Sequence, residues 1–353
     1  MVKHAWSPVG YALLSTLLFG ISTPLSKILV GDISPVLLVA FLYLGTALGM
    51  FLLGKVLKSR HNPLSGEAGI RVYDIPWLLL AILAGGVIAP ILLMSSLAVT
   101  PAATASLLLN FEGVATMIIA FAVFHESVGR RIWVALGIIT LASLLLSWEP
   151  NAAFGFSVGA VGILLACILW GIDNNATRNI SGKDPFAIVT IKGLFAGSMA
   201  LILAIPGHDS LPGLPLVLAA MLLGFLCYGV SMVLFIRALR DLGAARTGAY
   251  YSTAPFIGAA LSFLMFGEYP DLQLTIAFGM MLAGALVLTT ERHQHQHHHA
   301  PIEHEHLHHH PEEHHMHGHN GATGDHAHPH LHEPLDHDHP HSPDLHRASQ
   351  NFG

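Results

Sequence analysis

A few polar and charged side chains sit where an otherwise apolar chain should carry none. Glu112 lies near the middle of Pro101–Glu126, PAATASLLLNFEGVATMIIAFAVFHE, a stretch long and apolar enough to cross a bilayer. At about 1.5 Å of rise per residue it is roughly 15 Å deep. An ionised group there costs about 3 kcal/mol or more, so it must face a cavity, a partner or cargo. Two kinds of chemistry are open to it: contact with a substrate amine, or carriage of a coupling proton. The structural alternative is a hydrogen-bonded Glu that locks helices together. Asp173-Asn174-Asn175 closes another apolar segment. Asp173 and Asn174 can line the same cavity, or they can form a solvated helix end. Lys192, well inside the next segment, is too deep for easy snorkelling. It can pair with Glu112 or Asp173, or meet a substrate carboxylate. Asn110 is two residues before Glu112, about 200° round a helix, and so on a different face. Tyr250 and its neighbour Tyr251 are candidates for the pathway lining, although tyrosines are common at membrane interfaces.

The second chemical signal is at the other end. Residues 293–353 hold 22 of the 26 histidines. Imidazole suits Zn, Ni, Cu and Co, and His-rich tracts read as metal binding. The candidate ligands are His297, His298, His299, His308, His309, His310, His314, His315, His317 and His319. Triplets interleaved with Glu, Asp and Pro do not resemble an expression tag. Histidine also titrates near neutrality, so a pH-responsive tail competes with a metal-binding one. The tail is rich in Pro, Gly and acids and poor in large hydrophobes, and disorder is expected.

The body that must position these residues is of membrane composition: 53% hydrophobic and only 11% charged, against roughly 25% charged in soluble domains. Cys167 and Cys227 lie in apolar segments and read as small buried hydrophobes. A bilayer core needs about 20 apolar residues in helix. Ten segments meet this, at 7–30, 36–57, 75–98, 102–124, 131–148, 156–177, 185–205, 214–238, 243–266 and 273–290. The fold class is an all-α polytopic membrane protein. With ten spans, thirteen basic residues from Lys3 to Arg292 fall on one side, and the opposite loops carry only acids such as Asp32, Glu149, Asp209 and Asp271. Short cytoplasmic loops collect Lys and Arg, so both termini are expected in the cytoplasm of a plasma or inner membrane.

The segments also repeat. Shifted by 142 residues, 101–126 meets 243–268: Ala102, Ala103, Phe121, Phe124 and Glu126 align with Ala244, Ala245, Phe263, Phe266 and Glu268. Each half begins alike, Leu18-Phe19-Gly20-Ile21 beside Leu169-Trp170-Gly171-Ile172. Residues 1–148 and 149–291 are read as five-helix repeats, with 292–353 as the cytoplasmic tail. Five spans is an odd number, so the second copy is inverted, a recurrent plan for secondary transporters. Glu126 and Glu268 close equivalent spans at opposite faces and read as structural anchors or gate elements.

These features together resemble the EamA-type members of the drug/metabolite transporter superfamily. The carriers of the resemblance are the two halves, the Phe-Gly-Ile-Ser and Trp-Gly-Ile-Asp elements, and Phe124-His125-Glu126 with Phe266-Gly267-Glu268. It covers residues 7–290 and implies a carrier fold, most often an exporter of amino acids or other small metabolites. The tail is not part of the family pattern.

The expected function is export of a small organic metabolite by a carrier whose tail binds Zn, Ni or Co. No cofactor is required. The alternative is an exporter of Ni, Co or Zn itself, with the tail collecting the ion. No span carries an interior His or an HxxxH arrangement to relay such an ion. A further alternative is a metal- or pH-sensing membrane protein. An enzyme is not expected: His125-Glu126 lacks the second His of a zinc protease motif, and no nucleotide-binding loop occurs. The expected partners are a small-molecule substrate, membrane lipid and a divalent metal on the tail. Nucleic acid is not among them, and a homodimer is compatible with the sequence.

Overall fold

The computed structural model describes residues 8–59, 69–125, 128–152, 155–207, 211–242, 244–267, 269–289, 294–299, 302–308, 326–332 and 335–340. Up to residue 289 these residues are overwhelmingly helical. In order they form α1 (Pro8–Leu29), α2 (Pro35–Ser59), α3 (Ile75–Ala81), α4 (Ala89–Val99), α5 (Ala102–Leu108), α6 (Phe111–Phe124) and α7 (Arg130–Ser147). The second set is α8 (Val158–Asn179), α9 (Pro185–Ala204), α10 (Leu214–Leu223), α11 (Ser231–Leu242), α12 (Ala244–Tyr251), α13 (Ala254–Phe266) and α14 (Leu272–Thr289). A π-helical turn, Ile82–Ile88, joins α3 to α4, and another, Gly224–Val230, joins α10 to α11.

Among the described residues, eight helical stretches are long and apolar enough to cross a membrane. The last two expected segments appear as shorter apolar helices, Ala254–Phe266 and Leu272–Val287. The surface is apolar: Leu264, for example, is 81% exposed, while Ser15, Thr16, Ser106 and Ser262 are buried. Small polar residues inside and bare hydrocarbon outside is the arrangement a lipid solvent selects. This is a multi-pass membrane protein.

Local chemistry sets the helix ends. Asp184 accepts hydrogen bonds from the backbone N–H of Phe186 (2.9 Å) and Ala187 (3.4 Å), with Pro185 at the first position of α9. This is an N-cap followed by a residue with no N–H to leave unpaired. Helix α6 ends at His125 with φ 53°, and α13 ends at Gly267 with φ 61°. Both are left-handed C-caps. Only the second uses the residue that adopts this conformation without a steric penalty.

These caps are 142 positions apart, and so are the two π turns and the starts of α7 and α14. Packing partners exchange in step. Helix α6 lies on α8 as α13 lies on α1, and α4 lies on α8 as α11 lies on α1. The two most extensive contacts join equivalent elements to each other, α2 to α9 and α7 to α14.

Beyond residue 292 the described residues form short paired strands. Residues 294–299 (β1) pair antiparallel with 335–340 (β4), and 302–308 (β2) with 326–332 (β3). These tracts place His at every second position, as in IEHEHLH and HAHPHLH. That is the period of a strand.

Candidate functional site

The segment carrying Glu112 is two helices. Helix α5 ends at Leu108, and α6 starts at Phe111 with Asn110 as its N-cap. A break at this depth is tolerated only where the freed backbone is buried or lines a cavity. Glu112 therefore sits in the first turn of a half-helix, where the helix dipole favours negative charge. It is half-buried. Its Oε1 accepts a hydrogen bond from Asn174 Nδ2 at 2.8 Å, and the same amide reaches Thr116 Oγ1 at 3.1 Å. Asn175 Nδ2 donates to the carbonyls of Thr116 (3.0 Å) and Gly171 (2.8 Å), which stitches α8 to α6. Gly171 permits that approach, since a Cβ there would lie 2.9 Å from the backbone of Ala115 and Thr116. Asn110 points elsewhere: its Nδ2 donates to Leu107 O at 3.1 Å and lies 3.7 Å from Met281 Sδ.

One residue along α8, Asp173 faces the other way and forms a buried ion pair with Lys192 of α9. Its second oxygen, Oδ1, accepts from Thr177 Oγ1 at 2.9 Å. The structure thus gives Lys192 to Asp173, and Glu112 to Asn174. The pair rests on the first π turn, at Gly85 and Gly86, and a Cβ on Gly85 would overlap the Asp173 carboxylate. The carbonyl of Gly85 accepts from Tyr43 OH and from Trp170 Nε1, each at 3.0 Å. A π turn upsets the regular carbonyl ladder and is frequently found at functional sites. Here one carbonyl collects donors from α2 and α8.

Aromatic rings surround this centre. Tyr43 and Tyr228 lie with centroids 5.8 Å apart, and Tyr251 packs on Phe19 (5.1 Å) and Phe235 (4.6 Å). Tyr250, a candidate from the sequence together with Tyr251, is half-buried, and its backbone carbonyl accepts from Thr253 Oγ1 at 2.7 Å. Lys27, near the end of α1, does more than snorkel. Its Nζ donates to the carbonyls of Leu97 (2.5 Å), Ala98 (3.3 Å) and Thr100 (2.9 Å), capping the end of α4.

Tyr43, Trp170, Thr116 and Gly85 were not picked out as site residues. Tyr43 and Thr116 look like ordinary span residues, and a π turn has no sequence signature beyond the Gly85-Gly86 pair. Trp170 was in view as part of the Trp-Gly-Ile-Asp element. Glu126 and Glu268 lie outside the described residues, as do His309, His310, His314, His315, His317 and His319. His297, His298 and His299 fall in β1 and His308 ends β2. Among the described residues, no three His, Cys, Asp or Glu come together in a metal-holding group. Cys167 and Cys227 are buried free thiols.

A polytopic helical body with a broken span and a polar centre is the architecture of a membrane carrier. The EamA-like transporter family model matches the chain twice, over residues 6–148 and 157–290. The chain belongs to the EamA-like transporter family. It is 27% identical over 301 residues to an uncharacterized transporter of Methanothermobacter thermautotrophicus, covering 81% of this chain and 87% of that protein. A solved structure described only as "Crystal structure of protein" shares the fold, with TM-score 0.58 and 18% identity over 79% of this chain and 96% of its own.

Proposed function

We propose that this membrane transporter is a secondary carrier that exports a small organic metabolite, with Glu112 as the cargo-contacting group. The carrying observation is the Glu112–Asn174 hydrogen bond at the α5–α6 break, half-buried and facing the second half of the chain. Broken helices of this kind commonly bear the substrate site of inverted-repeat carriers. The fixed 142-residue offset, the exchange of packing partners and the double family match support two inverted five-helix repeats and ten spans. The one-sided distribution of basic residues supports cytoplasmic termini. Asp173, Asn174 and Lys192 form the wall of the pathway. The tail from residue 292 binds Zn, Ni or Co and regulates the carrier.

The density of tail histidines favours a second reading, in which Ni, Co or Zn is itself the cargo. One experiment separates them. Cellular Ni, Co and Zn are measured under challenge in cells with the intact protein, a truncation after Arg292, or Glu112→Gln, alongside exported metabolites. The metabolite reading predicts that Glu112→Gln abolishes metabolite export and that metal content responds only to the tail. Loss of metal efflux in Glu112→Gln would make the metal the cargo.

A further inference from the structure

The charge balance of the centre narrows the cargo, and the narrowing rests on the carrier reading above. Three ionisable side chains of opposite tendencies meet there: Glu112, Asp173 and Lys192. Asp173 and Lys192 neutralise each other and are both buried. Glu112 has only a neutral donor, Asn174, on Oε1, and Oε2 receives no hydrogen bond from the described residues. Two other described basic side chains inside spans are committed elsewhere. Lys27 caps α4, and Arg237 stacks 5.1 Å from the Phe186 ring centroid. Among the described residues, the centre therefore holds one carboxyl group without a cationic partner and no uncommitted positive side chain.

We propose that the cargo is an organic cation, bearing an ammonium or guanidinium group and no carboxylate. A cation meets Glu112 Oε2 directly. An amino acid presents the same ammonium, but its carboxylate finds no unpaired cation among the described residues. To recruit Lys192 it must break a buried ion pair, which leaves Asp173 charged and alone, a costly state. This discriminates against the zwitterion and against simple anions.

The test uses the full-length protein in proteoliposomes and matched cargo pairs that differ by a carboxylate: agmatine with arginine, and choline with betaine. Counterflow of each is compared with nickel chloride. The expected result is at least ten-fold faster counterflow of agmatine or choline than of its carboxylated partner, abolished by Glu112→Gln and retained in part by Glu112→Asp. Equal or faster movement of arginine or betaine overturns the organic-cation assignment and leaves the metabolite carrier standing. Movement of nickel alone overturns both. Lys192→Met provides a second check, because it leaves two acids at the centre. It should further disfavour the carboxylated partners in protein that still elutes as a single folded species, and a gain in arginine over agmatine transport would contradict the proposal.

Discussion

A methyl group added at Gly85 would fall within the Asp173 carboxylate, so Gly85→Ala forces a choice between two losses. If Asp173 swings away, Lys192 stays buried without its partner, at about 3–5 kcal/mol. If the π turn moves instead, the Gly85 carbonyl leaves Tyr43 and Trp170. Those two hydrogen bonds are worth about 1 kcal/mol each, and the displaced packing about 1–3 kcal/mol more. The cheaper route still costs about 3 kcal/mol. At roughly 2–4 °C per kcal/mol for chains of moderate size, melting should fall by about 6–12 °C. Cys167 and Cys227 are buried free thiols, so a thiol-reactive dye reports the transition without added probes. Gly137→Ala is the control. Gly137 lies within α7, and a Cβ there meets nothing within 4 Å. Helix propensity alone should raise its stability by up to about 1 kcal/mol. Gly85→Ala protein that melts with Gly137→Ala would refute the packing of the ion pair on the π turn.

Four further outcomes follow from the same geometry. Lys192→Met should destabilise by about 3–5 kcal/mol, and the double variant Asp173→Asn/Lys192→Met should recover most of it, both read by the same melt. Asn174→Ala removes a hydrogen bond to a charged group, worth about 1.5–3 kcal/mol, and should slow transport about ten-fold or more while the protein remains folded. Asp74, which accepts from the backbone N–H of Arg71 at 2.7 Å and sits 3.6 Å from buried Lys183, ties the start of α3 to the turn before α9. Asp74→Ala should lower the melting temperature by several degrees, whereas Asp32→Ala, on an exposed turn, should not. Truncation after Arg292 should abolish Zn and Ni binding measured by calorimetry and leave the melting of the helical body unchanged.

Much of this fold was legible because lipid leaves few choices. A span must be a helix about 20 residues long, so hydropathy alone located the segments. The repeat was legible because its offset of 142 holds without gaps from 101 to 146 and from 243 to 288. The polar centre was legible only through its charges. Glu112, Asp173 and Lys192 stand out in apolar runs, but which of them pair depends on the faces of α6, α8 and α9, set by helix rotation that periodicity cannot fix when hydrophobic residues surround every span. The π turns were invisible because one extra residue per turn leaves no compositional mark. The tail's two-residue His period, as in IEHEHLH, is also legible, and it matches the pairing of 302–308 with 326–332.

The central claim is that Glu112 lies on a water-reached pathway between the two membrane faces. The direct measurement is modification of Glu112→Cys, in a Cys167→Ala/Cys227→Ala background, by a membrane-impermeant thiol reagent applied separately to each face of sealed, oriented vesicles. The carrier account predicts labelling from both faces, slowed by transported cargo. No labelling from either face, with full labelling after denaturation, would make Glu112 a helix-locking residue and contradict the account.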